Sequence, residues 1–471
     1  MRAIHPVVWT SILLFAVGLL ACTSPPMPAT TPAPVAQLTP VLDAATTPQP
    51  PSPTLTPTAV AATLTPGPSA ADLSSFSYVR WMDRLSQSEG WVLTDSLSEC
   101  GVNASCRARF LTTEGLIYTE RLLWTEDAGA SWSDITPAGL SNCPPPDICT
   151  IVSPPVFFDP SRARIALIRG QEMLPPTTLS FMYTENGGRT WGLWKIDDLE
   201  CGRVCPGFGC LADVQLVFSD PRNGWLSASA SLGMGTEALY LYRTRDGGQS
   251  WTALVKSSTG DAGGPGWTPT PMVHRLSFID ASTGWVVGGW RWDSGTLLAT
   301  RNGADSWQPV GLDVPEAFAE MARDHSDPEF FTRDSGVLPV RFYGRDDSDQ
   351  VLGFYTTTDA GASWSLTGTL EDPELARFDS RLRFPWSAID ETTWFVAVSH
   401  SRQYLTRDRG QTWEGFAAEG LGEFDLVEVQ FASVTEGWGL AEICASRVPC
   451  ADSIFATHDG GRTWSPVPLP P

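Results

Sequence analysis

Apolar and polar residues alternate along short stretches through most of this chain, and turn-forming residues cut the stretches at close intervals. In one unit Val214, Leu216 and Phe218 mark a strand at period two, and Leu239 and Leu241 mark another. Successive side chains of a strand point to opposite faces, so this period predicts half-buried strands. A turn followed by Gly-Trp recurs between strands, in SEGWVLTD (Ser88 to Asp95), FSDPRNGWLSASA (Phe218 to Ala230), FIDASTGWVVGGW (Phe278 to Trp290) and FASVTEGWGLAE (Phe431 to Glu442). Weaker forms are FFDPSRARIALI (Phe157 to Ile168), FTRDSGVLPVRF (Phe331 to Phe342) and AIDETTWFVAVS (Ala388 to Ser399). Each unit predicts strand A, a turn, strands B and C, a tight hairpin and strand D.

The hairpin carries a second motif: Ser/Thr, any residue, Asp or Asn, any residue, Gly, any residue, Ser/Thr, Trp. Its copies are TEDAGASW (Thr125 to Trp132), TENGGRTW (Thr184 to Trp191), TRDGGQSW (Thr244 to Trp251), TRNGADSW (Thr300 to Trp307), TTDAGASW (Thr357 to Trp364), TRDRGQTW (Thr406 to Trp413) and THDGGRTW (Thr457 to Trp464). The third positions are Asp127, Asn186, Asp246, Asn302, Asp359, Asp408 and Asp459, at steps of 59, 60, 56, 57, 49 and 51 residues. A unit of that length with one hairpin suits a four-stranded antiparallel propeller blade. The Asp or Asn side chain mimics a turn by accepting backbone N–H bonds, and the Gly supplies a positive φ. The Trp returns to pack on a neighbouring blade. In the fourth copy Ala304 stands where Gly is expected and Gly303 comes one place earlier, which predicts a shifted turn.

These hairpins resemble Asp-box (BNR) repeats, which occur in sialidases, xyloglucanases, sortilin-type receptors and photosystem II stability/assembly factors. The combined rhythm of Gly-Trp strand and Thr-x-Asp-x-Gly-x-Thr-Trp hairpin, over roughly Ser74 to Pro468, most resembles the photosystem II stability/assembly factor-like propellers. The resemblance implies an all-β, single seven-bladed propeller, with Asp127 and its equivalents as peripheral turn scaffold. It also implies a protein-binding role in assembly or stabilisation of a membrane complex. No strand is left over at the N-terminus to close the ring by exchange. Closure is therefore expected from packing of blade 1 on blade 7, or from residues 72–77.

Ahead of the propeller the composition changes twice. Val7 to Leu20 is a short apolar run ending in Leu19-Leu20-Ala21-Cys22. It is too short for a comfortable membrane span and has a small residue before the cut, so residues 1–21 read as a signal peptide. The ending resembles the lipobox of bacterial lipoproteins, in which the Cys, here Cys22, becomes the lipidated first residue. The expected location is the outer face of the cytoplasmic membrane or the cell surface, with the lipid as the only membrane anchor. Residues 22–73 are dominated by Pro, Thr, Ala and Ser and read as a disordered tether. It spans on the order of 150 Å when extended at about 3.1 Å per residue. The propeller then occupies residues 74–471.

An exported location favours disulfides. Three cysteine pairs share one spacing: Cys100/Cys106, Cys143/Cys149 and Cys444/Cys450. Cys201, Cys205 and Cys210 form a cluster that leaves one thiol over. Zinc is the alternative for that cluster, against which its spacing argues. The formal charge is −22, from 53 acidic and 31 basic residues, which argues against nucleic acid and anionic lipid as partners.

Signals of chemistry are thin. The chain has five histidines and no HExxH, GxSxG or phosphate-binding Gly loop. The Arg-Ile-Pro of sialidases is missing, and xyloglucanases carry two propellers where this chain has room for one. A carboxylate pair for glycoside hydrolysis cannot be located among 53 acids. No cofactor, metal or catalytic residue is assigned, and a monomer is expected. The partner is expected to be an extracytoplasmic protein or glycan, with a glycoside hydrolase or lyase as the alternative. Binding is expected on the long D-to-A loops: Asp197 to Ala212 with Phe208, Lys256 to Met272 with Trp267, and Gly311 to Phe330 with Phe318. The last contains EAFAEMARDHSDPE (Glu316 to Glu329), a pattern compatible with a short amphipathic helix. Substituting Cys22→Ala should move the protein from the membrane fraction to the soluble one; retention in the membrane fraction would contradict the lipid anchor.

Overall fold

A computed structural model describes residues 75–99, 116–141, 148–171, 174–200, 213–233, 236–257, 275–288, 296–344, 350–377, 384–443 and 451–470. All belong to the compact unit Gly67–Pro471. They form a seven-bladed, all-β propeller of antiparallel sheets. Blade 1 is Ser75–Arg84, Gly90–Glu99, Leu116–Thr125 and Ser133–Asp134. Blade 2 is Ile148–Ile151 with Val156–Asp159, then Arg162–Gln171, Leu174–Thr184 and Gly192–Glu200. Blade 3 is Asp213–Phe218, Gly224–Gly233, Thr236–Thr244 and Thr252–Ser257. Blade 4 is Arg275–Phe278, Gly284–Gly288, Thr296–Thr300 and Gln308–Pro309. Blade 5 is Ala322–His325 with Glu329–Phe330, then Gly336–Tyr343, Gln350–Thr357 and Ser365–Glu371. Blade 6 is Trp386–Ala388, Trp394–Ser399, Arg402–Thr406 and Glu414–Phe416. Blade 7 is Asp425–Phe431, Gly437–Ile443, Ala451–Thr457 and Ser465–Pro466.

The strands fall where the alternation puts them. Val214, Leu216 and Leu241 are buried. So are the tryptophans of the strand-B motif: Trp91, Trp225, Trp285, Trp394 and Trp438. In blades 2 and 5 strand A is broken in two, and both pieces pair with the same strand B. The break in blade 5 overturns the helix expected over Glu316 to Glu329. Only Glu316–Phe318 is helical, as a single 3-10 turn. Ala322 to His325 instead pair with Tyr343 to Val340, because docking beside a wholly buried strand outweighs a weak helical pattern.

Every hairpin motif closes in the same way. The Thr at its first position is buried in all seven copies. In blade 5 the Thr357 Oγ1 donates to Asp359 Oδ1 at 2.8 Å and accepts the N–H groups of Asp359 and Gly361 at 3.3 and 2.9 Å. Asp359 then accepts the Ser363 N–H at 2.9 Å and the Ser363 hydroxyl at 2.6 Å. Where Asn replaces Asp, the amide donates instead: Asn186 Nδ2 to Thr190 Oγ1 at 2.8 Å and Asn302 Nδ2 to Ser306 Oγ at 2.9 Å. The fourth and fifth residues of each motif both have positive φ, and the fourth donates its N–H to the A–B turn of its own blade.

The fourth copy is not shifted. Ala304 takes φ 77° where the other copies place Gly, and its N–H reaches Thr300 Oγ1 at 2.9 Å as theirs do. The bonding network imposes the left-handed conformation, and the alanine accepts the strain. Four non-glycine residues hold positive φ in this way: Ala128, Ala304, Ala360 and Arg409.

The tryptophan of each motif packs on the preceding blade. Trp251 stacks on Phe181 at 4.7 Å, Trp413 meets Phe354 at a tilt at 5.1 Å, and Trp464 meets Phe395 edge-on at 6.4 Å. Trp132 of blade 1 meets Trp438 of blade 7 at 5.7 Å, so the ring closes by the same contact. Each sheet contains strands from consecutive sequence only, so no strand is exchanged at closure.

The inner edges are tied by a second recurring device, in which a side chain of one blade bonds the strand-A backbone of the next. Arg80 donates to Ile151 O at 2.7 Å, and Ser153 Oγ accepts the Leu216 N–H at 3.0 Å. Gln215 bonds both N–H and C=O of Leu276, at 2.7 and 3.3 Å. Ser277 Oγ donates to Pro328 O at 3.3 Å, and Glu329 accepts the Ala388 N–H. Ser387 Oγ accepts the Phe431 N–H at 3.2 Å, and Gln430 spans from blade 7 to Arg84 N and Met82 O of blade 1. Strand A is the inner edge of every sheet, and these bonds satisfy backbone groups that the ladder leaves free.

The left-handed pair predicts opposite effects of two substitutions. Ala360→Gly relieves a φ of 57° and should stabilise by about 0.5–1 kcal/mol. Gly188→Ala would place a Cβ 2.6 Å from Ile135 Cβ at φ 75° and should destabilise by about 2 kcal/mol or more. Denaturant unfolding measures both.

Candidate functional site

The seven motif side chains bond within their own turns. The Asp127, Asp246, Asp359, Asp408 and Asp459 carboxyl groups all sit below their ordinary range because the Ser/Thr hydroxyl and backbone N–H groups of the same turn bond the ionised form. Asp359 is lowered to about 2. With their acceptor atoms committed within the turn, these residues have no proton to give and little capacity to take one.

Of the three aromatics expected on the binding loops, Phe208 and Trp267 lie outside the described residues. Phe318 is half-buried and stacks on Phe342 at 5.0 Å, so its ring caps the blade 5 core. Cys22, Cys100, Cys106, Cys143, Cys201, Cys205, Cys210, Cys444 and Cys450 also lie outside the described residues; Cys149 is in strand Ile148–Ile151, where it pairs with Arg169.

The structure gathers charged groups that no motif announced. Arg80 stands between Asp95 and Glu120, with Nη2 at 2.5 and 2.9 Å from their oxygens, and Glu120 also bonds the Thr150 hydroxyl and the Ile151 N–H. Asp372 is held by Arg402 at 2.9 Å, by the Tyr404 hydroxyl and by the Glu374 N–H. At the B–C turn of blade 6, His400 bonds Asp425 through both its backbone N–H and Nδ1, at 2.8 and 3.0 Å.

A different set of acids lines strand A. Burial raises Asp327 to about 6, with Arg275 pulling the other way. Burial, then Asp327, raises Glu329 to about 8. Glu329 is solvent-exposed yet densely surrounded, the combination expected of a side chain on a channel wall. Burial, then Glu428, raises Asp83 to about 7, and burial raises Glu428 to about 7. The sequence signal for these residues is an acid set among apolar neighbours of a strand, as in DLVEVQF (Asp425 to Phe431).

Between the A–B turns of blades 4 and 5 lies a groove of about 760 Å³ lined by Phe278, Asp280, Ser282, Phe330, Thr332 and Arg333, among others. Its aromatic floor is already stacked, Phe278 on Trp225 at 3.5 Å and Phe330 on Trp285 at 4.7 Å. Arg333 crosses it to Asp280 at 3.3 Å and is 77% exposed. The groove lies on the face of the A–B turns. No group of metal-ligating residues occurs among the described residues.

A seven-bladed propeller with a committed rim and an acidic inner wall defines the class of protein, and comparison with known proteins goes little further. No protein-family model matches the chain, and no curated protein matches it. Among solved structures it is similar to YCF48 from Cyanidioschyzon merolae, at 16% identity, 82% of this chain, 96% of that one and a TM-score of 0.42. It is also similar to the α-L-arabinofuranosidase Arb93A from Fusarium graminearum with an iminosugar inhibitor, at 13% identity, 68% and 95% coverage and a TM-score of 0.40. A polysaccharide lyase PL25 ulvan lyase matches at 11% identity, 66% and 81% coverage and a TM-score of 0.41. YCF48 and two enzyme classes thus stand side by side at distances too great to argue from, and the propeller assignment rests on the strand pairing of this chain.

The raised carboxyls fix a pH dependence. A carboxyl with a higher pKa in the folded state holds its proton there after the unfolded chain has lost it. Its contribution is full below the ordinary value near 4.5 and is lost as pH rises through about 8 for Glu329. Glu329→Gln keeps an acceptor for the Ala388 N–H and removes the charge. It should raise the thermal midpoint at pH 8.5 and leave it unchanged at pH 4.5; melting curves at the two pH values check this.

Proposed function

We propose that the protein is a lipid-anchored extracytoplasmic binding propeller that takes a protein or glycan partner and serves the assembly or stabilisation of a membrane complex. One observation carries the reading: among the described residues, the carboxylates gathered around Arg80 and Arg402 are spent on structure. Arg80 occupies the space between Asp95 and Glu120 where a scissile bond would have to lie, and Asp372 is enclosed by Arg402, Tyr404 and a backbone N–H. The motif aspartates bond their own turns. A scaffold with a committed rim and variable loops is suited to recognition, since loops on a rigid frame carry binding.

A second reading, a glycoside hydrolase or lyase, draws on Glu329. A carboxyl kept protonated near neutral pH beside a more acidic partner is the arrangement of a general acid. The two readings separate in one design. Cross-linking intact cells and purifying the tagged protein should recover a reproducible partner, while the purified protein should leave a broad glycan panel unturned. Failure to recover any partner would count against the binder. Glycan turnover that Glu329→Gln abolishes would replace it with the enzyme.

A further inference from the structure

Six junctions of the ring carry the chain from one blade into the next; the junction between blades 7 and 1 does not, and no exchanged strand bridges it. It is held by side chains and by the C-terminal residues. Trp132 Nε1 donates to Pro468 O at 3.1 Å, and Arg121 Nη1 to Pro470 O at 3.3 Å. Val467 and Leu469 pack on the cluster of Val79, Met82, Val92 and Trp438.

The inner end of this seam gathers two carboxyl groups, Asp83 and Glu428. The Gln430 amide donates to Met82 O at 3.2 Å and to Glu428 Oε1 at 3.1 Å, and accepts the Arg84 N–H at 2.9 Å. It therefore clasps the peptide on both sides of Asp83 while holding the Glu428 carboxyl. Neither Asp83 nor Glu428 makes an ion pair among the described residues. Arg84, the cation on the same strand, lies over the Trp438 ring at 4.9 Å and reaches the Gln87 carbonyl. Its counter-charge is Glu436 on the A–B turn of blade 7. Strand C of blade 7 presents apolar Ile454 and Ala456 to this cluster.

We infer that the ring opens at the seam between blades 7 and 1, and that Asp83 and Glu428 make its closure depend on pH. With both carboxyls protonated, Gln430 holds the neutral Glu428 carboxyl and the backbone flanking a neutral Asp83, and the seam is closed. As pH rises through about 7 both groups ionise with no ion-pair partner among the described residues, and their repulsion weakens the one junction that lacks a covalent link. The other junctions shift far less, because the chain itself restrains them. Glu329 at the junction of blades 5 and 6 titrates within a chain-linked joint, and its ionisation lowers overall stability without parting two blades.

Hydrogen exchange of the full chain, corrected for intrinsic rates, reads this by segment. Between pH 6 and 8.5, protection of residues 79–92 and 426–441 should fall about tenfold relative to residues 214–228 and 275–287 at the junction of blades 3 and 4. The double variant Asp83→Asn, Glu428→Gln should keep its seam protected at pH 8.5. Equal loss at both junctions would overturn the location of the opening, and an unchanged pH dependence in the variant would overturn the role of the two carboxyls. Should the double variant not fold, Glu428→Gln alone, which keeps an acceptor for the Gln430 amide, decides on the same readout.

Discussion

Two consecutive residues in the left-handed conformation, seven times over, are the constraint on which this structure depends. A chain of L-residues resists that conformation, and the buried threonine hydroxyl and the Asp or Asn side chain overcome the resistance. The hydroxyl gives one hydrogen bond and takes two, so a polar group is buried without being left unsatisfied. The turn it fixes brings strand D back beside strand C and aims the following tryptophan at the preceding blade. Ala304 and Arg409 show which force wins: the network holds the geometry even where glycine is missing.

The outer and inner contacts run in opposite directions around the ring. Each motif tryptophan packs back onto the blade before it, and each strand-A bridge reaches forward to the backbone of the blade after it. Both devices cross the closing seam with the same chemistry they use elsewhere, Trp132 on Trp438 outside and Gln430 on Met82 and Arg84 inside. What breaks the repeat among the described residues is the groove between blades 4 and 5 and the acids of the inner wall.

Much of the fold was legible because its determinants are local. Thr357, Asp359, Gly361, Ser363 and Trp364 lie within eight residues and make one turn, so spacing alone announced it and counted the blades. Two local readings failed because a stronger interaction overrode a single-residue or short-pattern cue. Ala304 kept the common turn because Thr300 and Asn302 impose it. Ala322 to His325 became a strand because Gly336–Tyr343 offered a buried edge to pair with. The inner-wall acids were illegible as a group: Asp83 and Glu428 are separated by almost the whole propeller in sequence and meet only when the ring closes. The carboxylates around Arg80 and Arg402 were hidden likewise, since three successive strands of blade 1 bring the first set together and a contact between blades 5 and 6 the second.

The most direct test of the turn as the governing interaction is a double-mutant cycle on Thr357→Val and Asp359→Ala by denaturant unfolding. Thr357→Val leaves two N–H groups without their acceptor and should cost about 2 kcal/mol. The two residues act as one unit, so the double variant should lose at least about 1 kcal/mol less than the sum of the single losses. Small losses that add within about 0.5 kcal/mol would show that the blades hold their shape without the turn, and would contradict the account.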